Sequence, residues 1–131
     1  MTQWRWVSRD TVIALQDMQI SQFGGPYGIR DEGLLGSALA RPENQAAYRE
    51  PDVFALAAAY AYGLVRNHPF VDGNKRIGLV VAAVFLEKNQ TMLDAKEADA
   101  VLTILALAAG ELSEAALADW FRANSVPVPP A

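Results

Sequence analysis

The chain has 131 residues, no cysteine and a formal net charge of −4. With 52% apolar and 20% charged residues, it is expected to form one folded domain rather than a disordered chain. The acidic balance argues against direct nucleic-acid binding, and the lack of cysteine excludes disulfides and zinc–thiolate sites. No apolar run suits a signal peptide or a membrane span, so we expect a cytoplasmic protein with no membrane partner.

Apolar residues at helical spacing predict an all-α fold, a compact helical bundle. Ser8, Asp52 and Ser113 are suited to cap the helices that follow them, because their side chains can accept hydrogen bonds from free backbone amides. The first helix would bury Val12, Ile13, Leu15, Met18 and Ile20. The predicted helices cover approximately residues 9–23, 31–40, 53–66, 74–88, 95–109 and 114–123.

The regions outside these helices are less regular. Trp4 and Trp6 alternate with polar residues, which fits either a short extended segment or an anchor on the core. Arg41-Pro42 should close the second helix, whereas the polar residues 43–50 are ambiguous and could form a helical turn. Residues 91–94 should only connect two helices. We expect a single domain over residues 1–125 and a disordered proline-rich tail over residues 126–131.

A polar segment, residues 66–78, lies between two strongly apolar predicted helices. It contains His68, the only histidine of the chain, and Asp72 four residues later. Pro69 should end the preceding helix, because the residue before a proline is disfavoured in the helical conformation. Gly73 can adopt a backbone conformation that other residues avoid. A polar turn between two buried helices is costly, so this segment is a candidate functional site.

Lys75 and Arg76 occupy the first turn of the helix that starts near Asn74. Cations there oppose the helix dipole, so they favour a bound anion over a purely structural cap. Asp72 could then hold a magnesium ion that bridges phosphates, and His68 could serve as a base. Each residue alone is more often structural, but the combination indicates phosphoryl or nucleotidyl transfer.

The sequence His-Pro-Phe-Val-Asp-Gly-Asn-Lys-Arg, residues 68–76, resembles the signature of the Fic/Doc family, H-P-F-x-D/E-G-N-G/K-R. Residues 24–35 also resemble the substrate-facing flap of death-on-curing toxins, a branch of that family. The resemblance implies a bundle whose active-site loop joins two central helices. By itself the glycine-rich segment fits a connector, whereas the resemblance implies a lid that aligns a target peptide. The implied flap residues are Gly24, Gly25, Tyr27, Gly28 and Ile29.

The family motif implies a role for each matching residue. His68 would be the general base on a target hydroxyl, and Asp72 would hold Mg²⁺. Pro69 and Phe70 would have structural roles, with Phe70 as the buried aromatic residue that anchors the loop. The phosphates of ATP would contact Arg66, Gly73, Asn74, Lys75 and Arg76.

Two positions indicate the branch of the family. Members that transfer AMP usually have glycine where this chain has Lys75, and a second arginine where it has Leu79. Both departures resemble death-on-curing toxins, which bind ATP in the opposite direction and transfer its γ-phosphoryl group. The resemblance implies a Mg-ATP-dependent protein kinase, the toxin of a bacterial toxin–antitoxin pair, with a translation factor similar to elongation factor Tu as its target. AMP transfer and a catalytically inactive binding module are the alternatives.

The absence of one sequence pattern indicates how the activity is controlled. Many Fic enzymes inhibit themselves through the pattern S/T-x-x-x-E-G/N, but no glutamate of this chain has Ser or Thr four positions before it. In death-on-curing systems a separate antitoxin places a helix in an apolar groove of the toxin. The expected partner is therefore a Phd-like antitoxin that acts in trans.

Overall fold

The computed structural model describes residues 3–129, which form a helical bundle with one small two-stranded sheet. This confirms the predicted all-α class. None of the described helices is long and apolar enough to cross a membrane. The elements are α1 (Arg9–Phe23), α2 (Glu32–Tyr48), α3 (Val53–Asn67), α4 (Asn74–Lys88), β1 (Thr91–Leu93), α5 (Glu97–Ala108), α6 (Glu114–Ala123) and β2 (Ser125–Pro127).

The centre of the bundle is α3, which is buried along most of its length and packs against α2, α4 and α6. Two glycines allow this close packing. A Cβ on Gly63 would lie 3.1 Å from the Cα of Ala38 in α2, and a Cβ on Gly78 would lie 2.7 Å from the Cγ2 of Val65 in α3. The loop between α3 and α4 therefore begins and ends on two tightly packed helices.

The second helix extends through Pro42 to Tyr48, so the predicted helix end at Arg41-Pro42 is wrong. Proline inside a helix removes a backbone hydrogen bond and costs about 3 kcal/mol. Tertiary contacts offset this cost. Pro42 is buried, and the side chains of Arg41 and Gln45 both donate hydrogen bonds to the carboxylate of Glu114 at the start of α6.

The buried face of α1 consists of Val12, Gln16 and Ile20, which repeat every four residues. The predicted face is partly wrong, since Met18 is 63% exposed. The apolar residues of this helix allow more than one face, and packing against α4 selects one of them. The selected face brings a polar side chain, Gln16, into the interior.

The strands β1 and β2 pair antiparallel. The predicted plain connection at residues 91–94 is therefore wrong, since residues 91–93 form β1. The predicted disorder of residues 126–131 stays a prediction. The amide of Val128 extends the pairing and donates to the carbonyl of Gln90 at 2.9 Å. Proline is tolerated in β2 because a two-stranded sheet has free edges, where an absent amide costs no ladder hydrogen bond. Residues 130 and 131 of the predicted tail lie outside the described residues.

The N-terminal segment is anchored on the core, which was one of its two sequence-based interpretations. The rings of Trp4 and Trp6 pack on Phe85, with centroids 6.2 and 5.8 Å away. Tyr60 is 1% exposed, and its hydroxyl accepts a hydrogen bond of 3.0 Å from the amide of Val7. Burial raises the pKa of Tyr60 to about 12.

Tyr60→Phe should lower the free energy of unfolding by about 1–3 kcal/mol, because the Val7 amide would stay buried without an acceptor. The raised pKa adds a pH signature. The stability that neutral Tyr60 contributes is complete below its ordinary pKa of 10.0 and is lost as the pH rises through about 12. Chemical denaturation across this pH range measures the effect: wild type should lose more stability than Tyr60→Phe. An equal loss in both proteins would contradict the assignment.

Candidate active site

The motif loop, residues 68–73, joins α3 to α4 and lines a cleft of about 350 Å³. The far wall of the cleft comes from α5. The apolar lining of the cleft consists of Leu79 from α4 and of Val101, Ile104 and Leu105 from α5. Its polar lining consists of predicted site residues: His68, Asp72, Gly73, Asn74, Lys75 and Arg76.

His68 follows α3 in the left-handed backbone conformation, with φ 54° and ψ 52°. This conformation costs a residue other than glycine about 1–3 kcal/mol, so surrounding contacts must hold it. Arg30 provides them: its Nε donates to the carbonyl of His68 at 2.7 Å, and its Nη2 donates to the carbonyl of Asn67 at 3.0 Å. The side chain of His68 remains exposed at the cleft.

The flap, residues 24–30, is attached to the motif loop through main-chain contacts. The amide of Val71 donates to the carbonyl of Gly28 at 3.0 Å. Ile29 and Phe70 form an isolated antiparallel bridge beside it. Phe70 is only 1% exposed, so its side chain ties this pairing to the core. The flap and the motif loop therefore form one local unit.

Asn74 is buried at the first position of α4 and holds the motif loop closed. Its Oδ1 accepts from the amide of Phe70 at 2.9 Å, and its Nδ2 donates to the carbonyl of Phe70 at 3.0 Å. Both polar groups of the side chain are thus engaged, which leaves the main-chain amide to contact a phosphate. The amides of Asn74, Lys75 and Arg76 have no acceptor within residues 3–129. Such a free helix start suits an anion.

Asp72 is exposed at the cleft, and two hydrogen bonds hold it in position. Its Oδ1 accepts from the amide of Gly73 at 2.8 Å, and its carbonyl accepts from the Nε2 of Gln16 at 2.8 Å. Gln16 is 1% exposed, and its Oε1 has no hydrogen-bond partner in the described part of the chain. A Cβ on Gly25 would lie 2.5 Å from the Oδ2 of Asp72. A side chain at residue 25 would displace this carboxylate, so glycine permits its observed position beside the flap.

Lys75 and Arg76 are exposed beside the free amides of α4. Neither forms an ion pair with any residue that the structure describes. The guanidinium of Arg76 lies over the ring of Phe23 at the end of α1, 4.4 Å from the ring centroid. In a chain of net charge −4, two such cations at a helix N-terminus create a local positive site.

The donor set of the cleft suits a nucleotide together with magnesium. Within residues 3–129, no group of three or more His, Asp or Glu side chains forms a protein-only metal cage. Magnesium does not require one, because one or two carboxylates hold it together with phosphates and waters. Asp72 could supply the carboxylate, while the free amides and cations of α4 could receive the phosphates.

Eight predicted site residues do not line the cleft: Arg66, Pro69, Phe70 and the flap residues Gly24, Gly25, Tyr27, Gly28 and Ile29. The Nη1 of Arg66 lies 3.3 Å from the position that a Cβ would take on Gly110, beyond the end of α5. Tyr27 is 58% exposed on the flap. Neither side chain lines the cleft, so contact between Arg66 and a phosphate would require another conformation of that side chain.

Sequence reasoning missed three residues that contact the motif from other elements: Gln16, Phe23 and Arg30. A signal existed for Gln16, which is a polar residue in register with Val12 and Ile20 on a buried helix face. Arg30 lies within residues 24–35, which resemble the flap, but nothing in the sequence indicates its contact with His68, and the sequence contains no signal for Phe23. Their partners become adjacent only when α1 and the flap pack against the motif loop.

A sequence model of the Fic/DOC family matches residues 6–86, which include the flap and the motif loop. The chain is also 37% identical to protein kinase doc of Escherichia phage P1 over 119 residues, 90% of this chain and 94% of that protein. The chain belongs to the Fic/DOC family. Toxin Doc of Mycolicibacterium smegmatis is 44% identical over 77 residues, which cover 56% of this chain and 58% of that protein. The predicted Fic/DOC membership and the resemblance to death-on-curing proteins are confirmed.

The Fic/DOC signature occupies residues 68–76, the same residues that supply the polar side of the cleft. The roles that this signature implies for His68 as base, for Asp72 as metal ligand and for the phosphate-binding residues stay predictions.

Gly25→Ala should displace the carboxylate of Asp72, because the new Cβ would fall 2.5 Å from its Oδ2. Gly24→Ala is the matched control, because both glycines have a positive φ, 113° at Gly25 and 87° at Gly24, so both substitutions strain the backbone. A Cβ on Gly24, however, would meet no atom within 4 Å. The measurement is the NMR amide resonance of Gly73, which donates to Asp72. It should shift in Gly25→Ala and keep its position in Gly24→Ala. Equal shifts in the two variants would contradict the contact.

Proposed function

We propose that this protein is a Doc-type toxin that uses Mg-ATP and transfers the γ-phosphoryl group to a hydroxyl group of a protein. The cleft is the observation that carries the proposal. It combines an imidazole and a carboxylate with two cations, and these cations have no ion-pair partner in the described chain. All four groups lie near the free amides at the start of α4. A base, a metal ligand and a phosphate site are the parts that phosphoryl transfer requires. Similarity to a protein kinase and to a toxin supports this reaction.

In the proposed reaction, the neutral imidazole of His68 accepts the proton of the target hydroxyl. The hydroxyl oxygen bonds to the γ-phosphorus while the bond from that phosphorus to the β–γ bridging oxygen breaks, so ADP leaves. Lys75, Arg76 and the free amides of α4 stabilise negative charge on the phosphate oxygens. Asp72 would hold Mg²⁺, which supplies further charge compensation when bound. The flap aligns the target peptide beside the motif loop.

Two residues favour γ-phosphoryl transfer over AMP transfer. Lys75 lines the cleft where AMP-transferring members of the family usually have glycine. Its side chain occupies space that phosphates would otherwise use and adds a cation. Leu79 lines the apolar part of the cleft at the position of their second arginine. The chain therefore lacks a phosphate ligand at this position of the AMP-transferring arrangement.

The deciding measurement uses ATP labelled at either the γ- or the α-phosphate, incubated with this protein and a bacterial extract. The γ-label should reach protein and the α-label should not. His68→Ala should fold normally and lower the rate about 10²–10⁴-fold, as expected for the loss of a general base. Transfer of the α-label instead would establish AMP transfer, and an equally active His68→Ala variant would exclude the proposed base. No labelling by the folded wild type would favour an inactive binding module.

The proposed target is a translation factor similar to elongation factor Tu, in the bacterial cytoplasm, and the proposed inhibitor is a Phd-like antitoxin. Similarity to toxin Doc supports an antitoxin partner, whereas the target rests on the resemblance to death-on-curing toxins. An apolar surface on α5 beside the cleft supports the inhibitor: Val101 and Leu105 line the cleft and are 49% and 46% exposed, and Leu102 is 66% exposed. An amphipathic helix of a second chain would bury such a surface.

Co-expression with the product of a small neighbouring gene should rescue growth, and a peptide from the C-terminus of that product should bind the purified protein. Leu102→Glu should weaken this binding at least about tenfold, because it places a charge in an apolar contact. Tyr48→Glu is the control, since Tyr48 is 87% exposed at the end of α2. Titration of the labelled peptide measures both. A protein that is harmless when expressed alone, or a neighbour product that does not bind, would contradict the toxin–antitoxin assignment.

A further inference from the structure

We propose that Arg30 is a positioning residue for His68. It fixes the backbone that carries the imidazole and thereby the direction of the base. The inference rests on the proposed function, because the position of the imidazole affects the reaction only if His68 is the base. Arg30 is the last residue of the flap, directly after the five flap residues that the resemblance implies, and it is outside the family signature.

The carbonyl groups at the end of α3 need a donor from outside the helix. The last carbonyls of a helix have no intrahelical partner. A helix that ends in a left-handed residue is commonly closed by main-chain amides of that residue and of the next one. Here the next residue is Pro69, which has no amide hydrogen. The amide of His68 also makes no hydrogen bond within residues 3–129.

Arg30 takes the place of the absent main-chain cap. Its Nε donates to the carbonyl of His68 at 2.7 Å, and its Nη2 donates to the carbonyl of Asn67 at 3.0 Å. Two donors on one planar guanidinium fix the direction of the carbonyls as well as their distance. The positive charge also lies at the negative end of the α3 dipole.

The segment that carries Arg30 is itself held by the chain around His68. The amide of Arg30 donates to the carbonyl of Pro69 at 2.7 Å. In the opposite direction, the Nδ2 of Asn67 donates to the carbonyl of Leu34 at 3.0 Å. His68 thus lies between two segments, residues 30–34 and residues 67–69, and each donates hydrogen bonds to the other. We call this pair of segments the joint.

The imidazole depends on this joint for its direction. The hydrogen bond that the His68 carbonyl accepts from Arg30 is the only one in the described part of the chain that involves His68. Without this hydrogen bond, the cost of the left-handed conformation of His68 would not be offset, and the backbone would relax. A base acts only within hydrogen-bond reach of the proton that it removes, so this relaxation would slow the reaction.

The test uses the full chain and its single histidine. In two-dimensional proton–carbon NMR, the imidazole Cε1–H signal belongs to His68 alone. Arg30→Met keeps the apolar stem and removes both donors, whereas Arg30→Lys can donate to one carbonyl at a time. Arg49→Met is the matched control, because Arg49 is exposed at the end of α2 and its side chain makes no hydrogen bond or ion pair within residues 3–129.

In Arg30→Met, the histidine signal should shift and broaden, and the rate at saturating ATP should fall about ten- to a hundredfold. The KM for ATP should stay within about twofold, because the phosphate-binding groups of α4 are unchanged. Arg30→Lys should be intermediate in both measurements, and Arg49→Met should match wild type. In the His68→Ala background, adding Arg30→Met should lower the rate no further, because the group that Arg30 positions is already absent.

An unchanged histidine signal in Arg30→Met would overturn the proposal, whatever happens to the rate. Full additivity of the two substitutions in the double variant would also overturn it. If Arg30→Met does not fold, the comparison of Arg30→Lys with wild type decides by the same two criteria. Failure of the proposed function is separable, because the NMR signal does not depend on the reaction. A fully active His68→Ala variant would exclude His68 as base, and with it any catalytic effect of Arg30 through this residue.

Discussion

Two hydrogen bonds between the side chain of Asn74 and the main chain of Phe70 set the shape of the motif loop. They close the turn between α3 and α4, so that His68 leaves one helix close to the point where the other begins. The cleft depends on this turn, because the imidazole, the carboxylate of Asp72 and the free amides of α4 all come from residues 68–76. In another loop conformation, the same side chains would have no common cleft.

Three unfavourable features occur together at this loop. His68 adopts a left-handed conformation, Gln16 has a buried oxygen without a hydrogen-bond partner in the described chain, and Lys75 has no ion-pair partner there. Away from the cleft, by contrast, Arg41 and Arg122 pair with carboxylates of other elements. Gln90 also has a positive φ, and Ser125 also has a buried oxygen without a partner in the described chain, so neither feature alone marks a functional site. Strain and unmatched polar groups are costly for folding, and their combination at one cleft with two cations that are unpaired within residues 3–129 is typical of a functional site.

The sequence by itself determined the features that depend on neighbours in the chain. The caps at Ser8, Asp52 and Ser113 are present, and α4 spans residues 74–88 as predicted. These signals are local: a side-chain oxygen reaches an amide three residues ahead, and a proline or glycine acts on its own turn. For the same reason the signature at residues 68–76 could be recognised, and with it the polar lining of the cleft.

Only the tertiary structure decided which distant residues meet the signature. Gln16, Phe23 and Arg30 reach it from α1 and the flap, whereas the guanidinium of Arg66 lies against Gly110 instead of in the cleft. Packing also selected the buried face of α1, carried α2 through its proline and paired β2 with β1. These contacts join residues far apart in the chain, so their free energy exists only after the helices have packed, and local sequence patterns cannot predict them.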